Sequence, residues 1–210
     1  MASYRGHLAF STALGAAYGA LGSWYLGLGW GPVCLGAGMT AIGGLLPDLD
    51  SDSGVPVREL FSLLATITPL FLVSRLHEKG LDGEQTLVAL GGCYFLIRYV
   101  VRYLFRRMTV HRGMFHSIPA MLIAGLAVYL LHHGPSPLHR LYLAGGTMLG
   151  FFSHLLLDEI YSVNFMGLHF RLNKYAGSAL KFFSPSAYAT LMTYTVLGGM
   201  GYLVWLGWKI

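Results

Sequence analysis

Charge is what this 210-residue chain has least of, because Asp, Glu, Lys and Arg together supply only 11% of it, against about 25% in ordinary soluble domains. With 55% hydrophobic residues and a mean hydropathy of +0.57, the shortage excludes a soluble globular domain and points to a membrane protein. Cysteine is nearly absent too. Cys34 and Cys93 are isolated in apolar stretches and form no C-x-x-C, which excludes a disulfide framework or a thiolate metal site and leaves them as small core residues. Acidic residues number nine against fourteen Lys and Arg, giving a formal net charge of +5 and a pI near 9.3. In so apolar a chain a basic excess marks cytoplasmic loops rather than a nucleic-acid surface, and nucleic acid is not an expected partner. Internal repeats, low-complexity tracts and a second domain are also missing, so residues 1–210 read as one integral membrane domain.

Present instead are seven apolar segments, at about 8–30, 31–47, 58–76, 86–105, 118–133, 140–160 and 187–208, to be compared with the roughly 20 residues that cross a bilayer. The fold class they predict is all-α, a polytopic transmembrane bundle of about seven helices. Arg5 and His7 precede an apolar run as in a signal peptide, but the run continues to about Trp30, so a retained first helix is expected. The 28 glycines fit close helix packing, as expected for Ala13, Gly15, Ala17 and Gly19 in the first segment. In a seven-pass chain the N-terminal side carries ten of the Lys and Arg residues, among them Arg5, Arg58, Arg98, Arg102, Arg106, Arg107 and Arg112. The other side carries four, Arg75, Lys79, Arg140 and Lys209. The positive-inside rule then places the N-terminus in the cytoplasm and the C-terminus outside, in an inner (plasma) membrane. Arg98 and Arg102 fall inside the fourth segment, where they must snorkel or pair with acids.

Chemistry-bearing residues gather on the N-terminal side. His7 opens the first segment, and Leu45-Leu46-Pro47-Asp48-Leu49-Asp50 closes the second. His111-Arg112-Gly113-Met114-Phe115-His116-Ser117 lies between the fourth and fifth. In Ser153-His154-Leu155-Leu156-Leu157-Asp158 the His and Asp are spaced i, i+4 and share one helical face. Imidazole nitrogens and carboxylate oxygens are the ligands of catalytic rather than structural zinc when no Cys takes part. His7, Asp48, Asp50, His111, His116, His154 and Asp158 exceed what one tetrahedral ion needs, so two or more divalent ions are expected, with zinc favoured. Such ions offset clustered carboxylates and lower the pKa of bound water to about 7.

These motifs together resemble the YdjM-like, LexA-regulated, membrane-bound metal-dependent hydrolases, in order over about residues 6 to 160. The resemblance implies a distant likeness to zinc-dependent phospholipase C and single-strand nucleases, whose His/Asp clusters hold several zinc ions for phosphodiester hydrolysis. Phe115 departs from the family's usual Thr before the second His and removes a hydroxyl, though both proposed His ligands remain.

Each residue also has a plainer role. His77, His132, His133, His139 and His169 read as interfacial anchors. Asp48 and Asp50 fit a solvated turn after Pro47, and His154 with Asp158 fits a self-satisfying pair. Arg112 suits a phosphate or a cytoplasmic topology charge. Ser117, ahead of Ile118-Pro119, suits a helix cap. Arg98, Arg102, Arg106 and Arg107 suit topology and anionic lipid; Trp205 and Trp208 suit an interfacial belt. Asp48, Asp50, Asp52 and Glu59 mimic a calcium loop, but Ser53 and Pro56 occupy positions that argue against it.

The function expected is metal-dependent hydrolysis of a phosphoester, with phospholipid as a candidate substrate and membrane lipid as the natural partner. Asp50 or Asp158 would orient the attacking water and Arg112 would steady the anion. The alternative is a transporter or metal-handling protein that uses the same ligands without hydrolysis, and a third is a scaffold whose metal only pins helices. Oligomeric state is left open.

Overall fold

A computed structural model of the chain describes residues 3–50, 54–104, 114–132, 136–166, 169–172 and 180–209. Helix α1 (Tyr4–Leu26) starts where the Ser3 side chain accepts a hydrogen bond from the Gly6 N–H, 3.1 Å. It ends at Gly27, whose φ of 61° is left-handed, with the Leu28 N–H turned back to the Gly22 carbonyl, a stop that glycine alone makes without strain. Helix α2 (Trp30–Gly43) leads into a 3-10 turn, Leu46–Asp50. Helices α3 (Gly54–Leu70) and α4 (Val73–Glu78) are one apolar rod, Val57–Glu78, interrupted after Pro69. Proline donates no N–H to the preceding turn, and the chain closes the break with Phe71 and Leu72 N–H groups on the Thr68 and Pro69 carbonyls.

Helix α5 (Gly83–Phe95) opens with a capping box in which Asp82 and Gln85 each satisfy the other's backbone N–H, the reciprocal arrangement that fixes helix starts. It runs on as a π-helical turn, Leu96–Val101. Helix α6 (Ile118–Leu131) and helix α7 (Pro137–Ile160) both start from serine caps followed by proline, Ser117 and Ser136. Proline tolerates that position because the first N–H groups of a helix have no partner in the helix. A short antiparallel hairpin, β1 (Val163–Met166) and β2 (His169–Leu172), pairs Val163 with Leu172 and Met166 with His169. Helix α8 (Ala187–Lys209) completes the chain.

With the α3–α4 rod taken as one unit there are seven helical rods among the described residues, the all-α bundle the sequence predicts. The small hairpin is an addition that the apolar pattern does not announce. Three stretches, Val57–Glu78, Gly83–Leu104 and Ala187–Gly207, are long and apolar enough to cross a membrane.

The centre of the bundle is α1, α2 and α7, which pack closely on one another. On α1 the buried face is His7, Ser11, Gly15, Gly19 and Gly22, spaced mostly by four residues and therefore a single stripe. This corrects the expectation for Ala13 and Ala17, which are exposed; helical spacing separates them from the stripe that Gly15 and Gly19 occupy. A Cβ at Gly15 would meet the Ala37 carbonyl, one at Gly43 the Thr147 carbonyl and one at Gly150 the Thr40 carbonyl. Backbones approach closely here because side chains are missing, as in membrane helix packing. Tyr142 fills the space that Gly22 and Gly36 leave. It stacks on Tyr18 at 4.6 Å between ring centroids, and the two hydroxyls exchange hydrogen bonds to each other's carbonyls, 2.7 and 3.2 Å.

Arg98 Nη1 donates to the Arg58 carbonyl at 2.9 Å, which ties α5 to α3. Glu59 lies on α3 and is bound by Arg58 at 3.1 Å, while Asp52 and Ser53 of the calcium-loop pattern lie outside the described residues. At the other end of the bundle, Arg75 and Arg140 both donate to the last turn of α6, at Leu130 and Tyr129. Cations there complement the helix's carbonyl end.

Candidate metal centre

Three elements and one loop bring five of the predicted side chains together. His7 stands at the end of the α1 stripe of small residues, so the tight α1–α2–α7 contact presents it to α7. His154 and Asp158 face it from α7, one turn apart as their spacing predicts. Asp48 reaches in from the 3-10 turn after α2, and His116 from the bend that precedes α6. Burial is deep: His7 and His116 are 3% exposed, His154 1% and Asp158 6%, while the Asp48 side chain keeps 22%.

The distances are consistent in kind. His7 Nε2 is 3.3 Å from Asp158 Oδ1. His116 Nε2 and His154 Nε2 are 3.9 and 3.8 Å from Asp158 Oδ2, and His154 Nε2 is 3.7 Å from Asp48 Oδ1. Most of these are long for hydrogen bonds. Bonds of about 2.0–2.2 Å at tetrahedral angles would place ligand atoms roughly 3.3–3.6 Å apart, which the His7–Asp158 contact meets and the other three exceed by a few tenths of an ångström. Two overlapping triads meet the spacing of a common ion, His7 with His154 and Asp158, and Asp48 with His116 and His154. The His7 and His154 rings stack at 3.6 Å, 12° from parallel, and His116 meets His154 edge-on at 5.6 Å.

The orientation of His154 has an identifiable cause. Its Nδ1 lies 2.7 Å from the Gly44 carbonyl. A carbonyl only accepts, so Nδ1 carries the proton, and in the neutral ring Nε2 is left with a bare lone pair. That nitrogen is buried without a hydrogen bond and faces two carboxylates. Gly44 is held in turn by Ser11, which packs where a Cβ at 44 would sit and donates to the Ala41 carbonyl at 3.1 Å.

Asp50 lies in the same turn as Asp48, but its side chain is outside the described residues, as are His111, Arg112, Asp52, Arg106, Arg107 and His133. Ser117 is a helix cap: its hydroxyl accepts from the Ala120 N–H at 3.3 Å and donates to the Met114 carbonyl. Of the other histidines, His77 is exposed, His132 is edge-on to Phe71, His139 lies within 2.6 Å of the capping Ser136 hydroxyl, and the side chain of His169 is outside the described residues.

Two contributors escape motif reading, Gly44 and Ser11. The signal that could have found them is the fourfold spacing of His7, Ser11, Gly15 and Gly19, which marks one packed face ending in a histidine. No curated protein and no solved structure matches the chain. A family model does, over residues 1–170, a span that holds all five gathered side chains, and the chain accordingly belongs to the YdjM inner membrane protein family.

Proposed function

We propose that the protein is a membrane-bound, metal-dependent phosphoester hydrolase, that His7, Asp48, His116, His154 and Asp158 hold one or more divalent ions with zinc favoured, and that phospholipid is its substrate class. The observation that carries this reading is His154. Its Nδ1–H is committed to Gly44, so the Nε2 lone pair points at Asp48 and Asp158 oxygens 3.7 and 3.8 Å away. Lone pairs facing one another at that distance repel; a cation between them would turn the same geometry into ligation. An N–H on a backbone carbonyl is also the usual partner of a metal-ligating histidine.

Divalent ions in His/Asp sites supply charge that acidifies a water and polarises a phosphoryl oxygen. The chain's own residues supply the rest. Asp158 turns one oxygen to His7 and the other to His116 and His154, so it can share itself between ligation and orientation of an attacking water, a task that Asp50 also suits. Water adds at phosphorus, the ester P–O bond breaks, and the departing alkoxide takes a proton. Arg112 matches two phosphate oxygens with its planar fork. A site at headgroup depth accepts a lipid laterally, which favours phospholipid over soluble esters. We further infer a multi-pass arrangement with the N-terminus cytoplasmic and the C-terminus outside, from the Lys and Arg bias.

The test is to purify the full chain, measure its metal content, and assay phospholipid and phosphodiester turnover. Stoichiometric zinc and turnover are expected, both lost in the His116→Ala/Asp158→Ala double variant. Zinc retained in that variant sinks the site. Zinc flux into proteoliposomes without turnover replaces the hydrolase with a transporter.

A further inference from the structure

His116 is the one gathered ligand that no helix carries, so something must hold its loop. The structure ties the neighbouring residues to a distant part of the chain: Ser117 forms a parallel bridge with Lys181, and the Ile118 N–H donates to the Lys181 carbonyl at 3.1 Å. Residue 181 lies beyond the stretch, 1–170, that the family model matches.

The far side of this tie is itself anchored. Tyr194 on α8 donates to the Phe182 carbonyl at 3.2 Å and stacks on Phe183 at 5.9 Å. The Ser184 N–H donates to the Thr190 hydroxyl at 3.0 Å. Helix α8 also packs along α6, whose start the tie holds. A continuous route of bonded groups thus runs from α8 through residues 184 to 181 to Ser117, where Ser117 is fully buried and His116 is its immediate neighbour.

We propose that the 181–184 segment is a positioning element for the metal centre, a C-terminal brace that holds His116 against Asp158 and His154 through the Lys181 carbonyl. It rests on the metal reading of the site. The brace acts at the first N–H groups of α6, which have no partner within the helix, so it supplies a bond the helix itself cannot.

Ile118→Pro tests it cleanly. Proline is accepted at the first position of a helix, and Ser117, at φ −154° and ψ 159°, already has the extended backbone a following proline requires. The substitution therefore removes the donor to Lys181 while keeping the backbone path, and the packing of the Ile118 side chain beside Phe151 and Leu155 is controlled for by Ile118→Ala, which keeps the N–H and is expected to keep zinc affinity. In full-length protein stripped with a chelator and titrated with zinc alone, Ile118→Pro is expected to bind zinc roughly tenfold more weakly, the usual cost of losing a group that orients a ligand. Tyr194→Phe, which frees the anchor without touching α6, is expected to weaken zinc by roughly two- to fivefold and serves where Ile118→Pro folds poorly. A purely structural tie would lower the melting temperature of the zinc-free protein and leave zinc affinity alone, which overturns the brace. So does wild-type zinc affinity in both variants while His116→Ala loses zinc. Wild-type zinc binding in His116→Ala itself overturns the site reading and the brace with it.

Discussion

At the scale of single residues, the site depends on groups that carry no chemistry. Gly44 offers His154 its carbonyl and has no room for a methyl group, because Ser11 occupies that space. Gly44→Ala is expected to cost about 1–3 kcal/mol, the usual penalty of overpacking, and to weaken zinc binding as His154 loses its orienting partner. Gly38→Ala is the control: it sits in α2 with nothing near its missing Cβ, so removing a flexible glycine should leave stability equal or raise it by up to about 1 kcal/mol. Unfolding curves and zinc titrations of the two variants check both. The candidate ligands were legible because they fall in four short motifs that interrupt apolar runs. Gly44 was not legible, because a backbone carbonyl leaves no mark in a sequence.

Between elements, stability is concentrated where α1, α2 and α7 touch. The Tyr18 and Tyr142 hydroxyls each satisfy a carbonyl of the opposite helix, so Tyr18→Phe and Tyr142→Phe should each cost about 1 kcal/mol. Phe keeps the stacked rings and each hydroxyl has its own carbonyl, so the two costs should nearly add, and a double-mutant cycle measures any coupling. Gly150→Ala drives a methyl group into the Thr40 carbonyl and is expected to be the more damaging change, since backbone cannot move aside as a side chain can. Apolar runs announced most helices within a few residues. They missed the break after Pro69, where two helices share one hydrophobic run, and the small hairpin at 163–172. They also misassigned Ala13 and Ala17, since composition shows that a helix is rich in small residues but only its neighbours decide which face is used.

Across the whole molecule, the proposed metal centre ties folding stability to cation binding. A ligand that binds only the folded state stabilises it by RT ln(1 + [L]/Kd), about 2.7 kcal/mol at a hundredfold excess over Kd. Zinc-free protein should therefore melt lower than zinc-loaded protein, and the gap should vanish in Asp158→Ala; a melting temperature indifferent to chelator would contradict the proposed centre. Orientation is checked by labelling single cysteines near either terminus with an impermeant thiol reagent. In intact cells protection is expected at the N-terminal site and reaction at the C-terminal one.

Composition, at 11% charge with 55% hydrophobic residues, determined that this is a membrane protein, and the long continuous apolar runs determined that it is helical, because lipid admits only helices and closed barrels and a barrel strand needs only about 10 residues. Spacing alone determined that His154 and Asp158 share a face, since helical periodicity is local. Only the tertiary structure decided that His7 and His116 meet them, that the Gly44 carbonyl faces the His154 ring, and that the Ile118 N–H reaches the Lys181 carbonyl. Those relations join residues up to 151 positions apart, and they are fixed by which helices pack together, a property of the whole chain that no local pattern encodes.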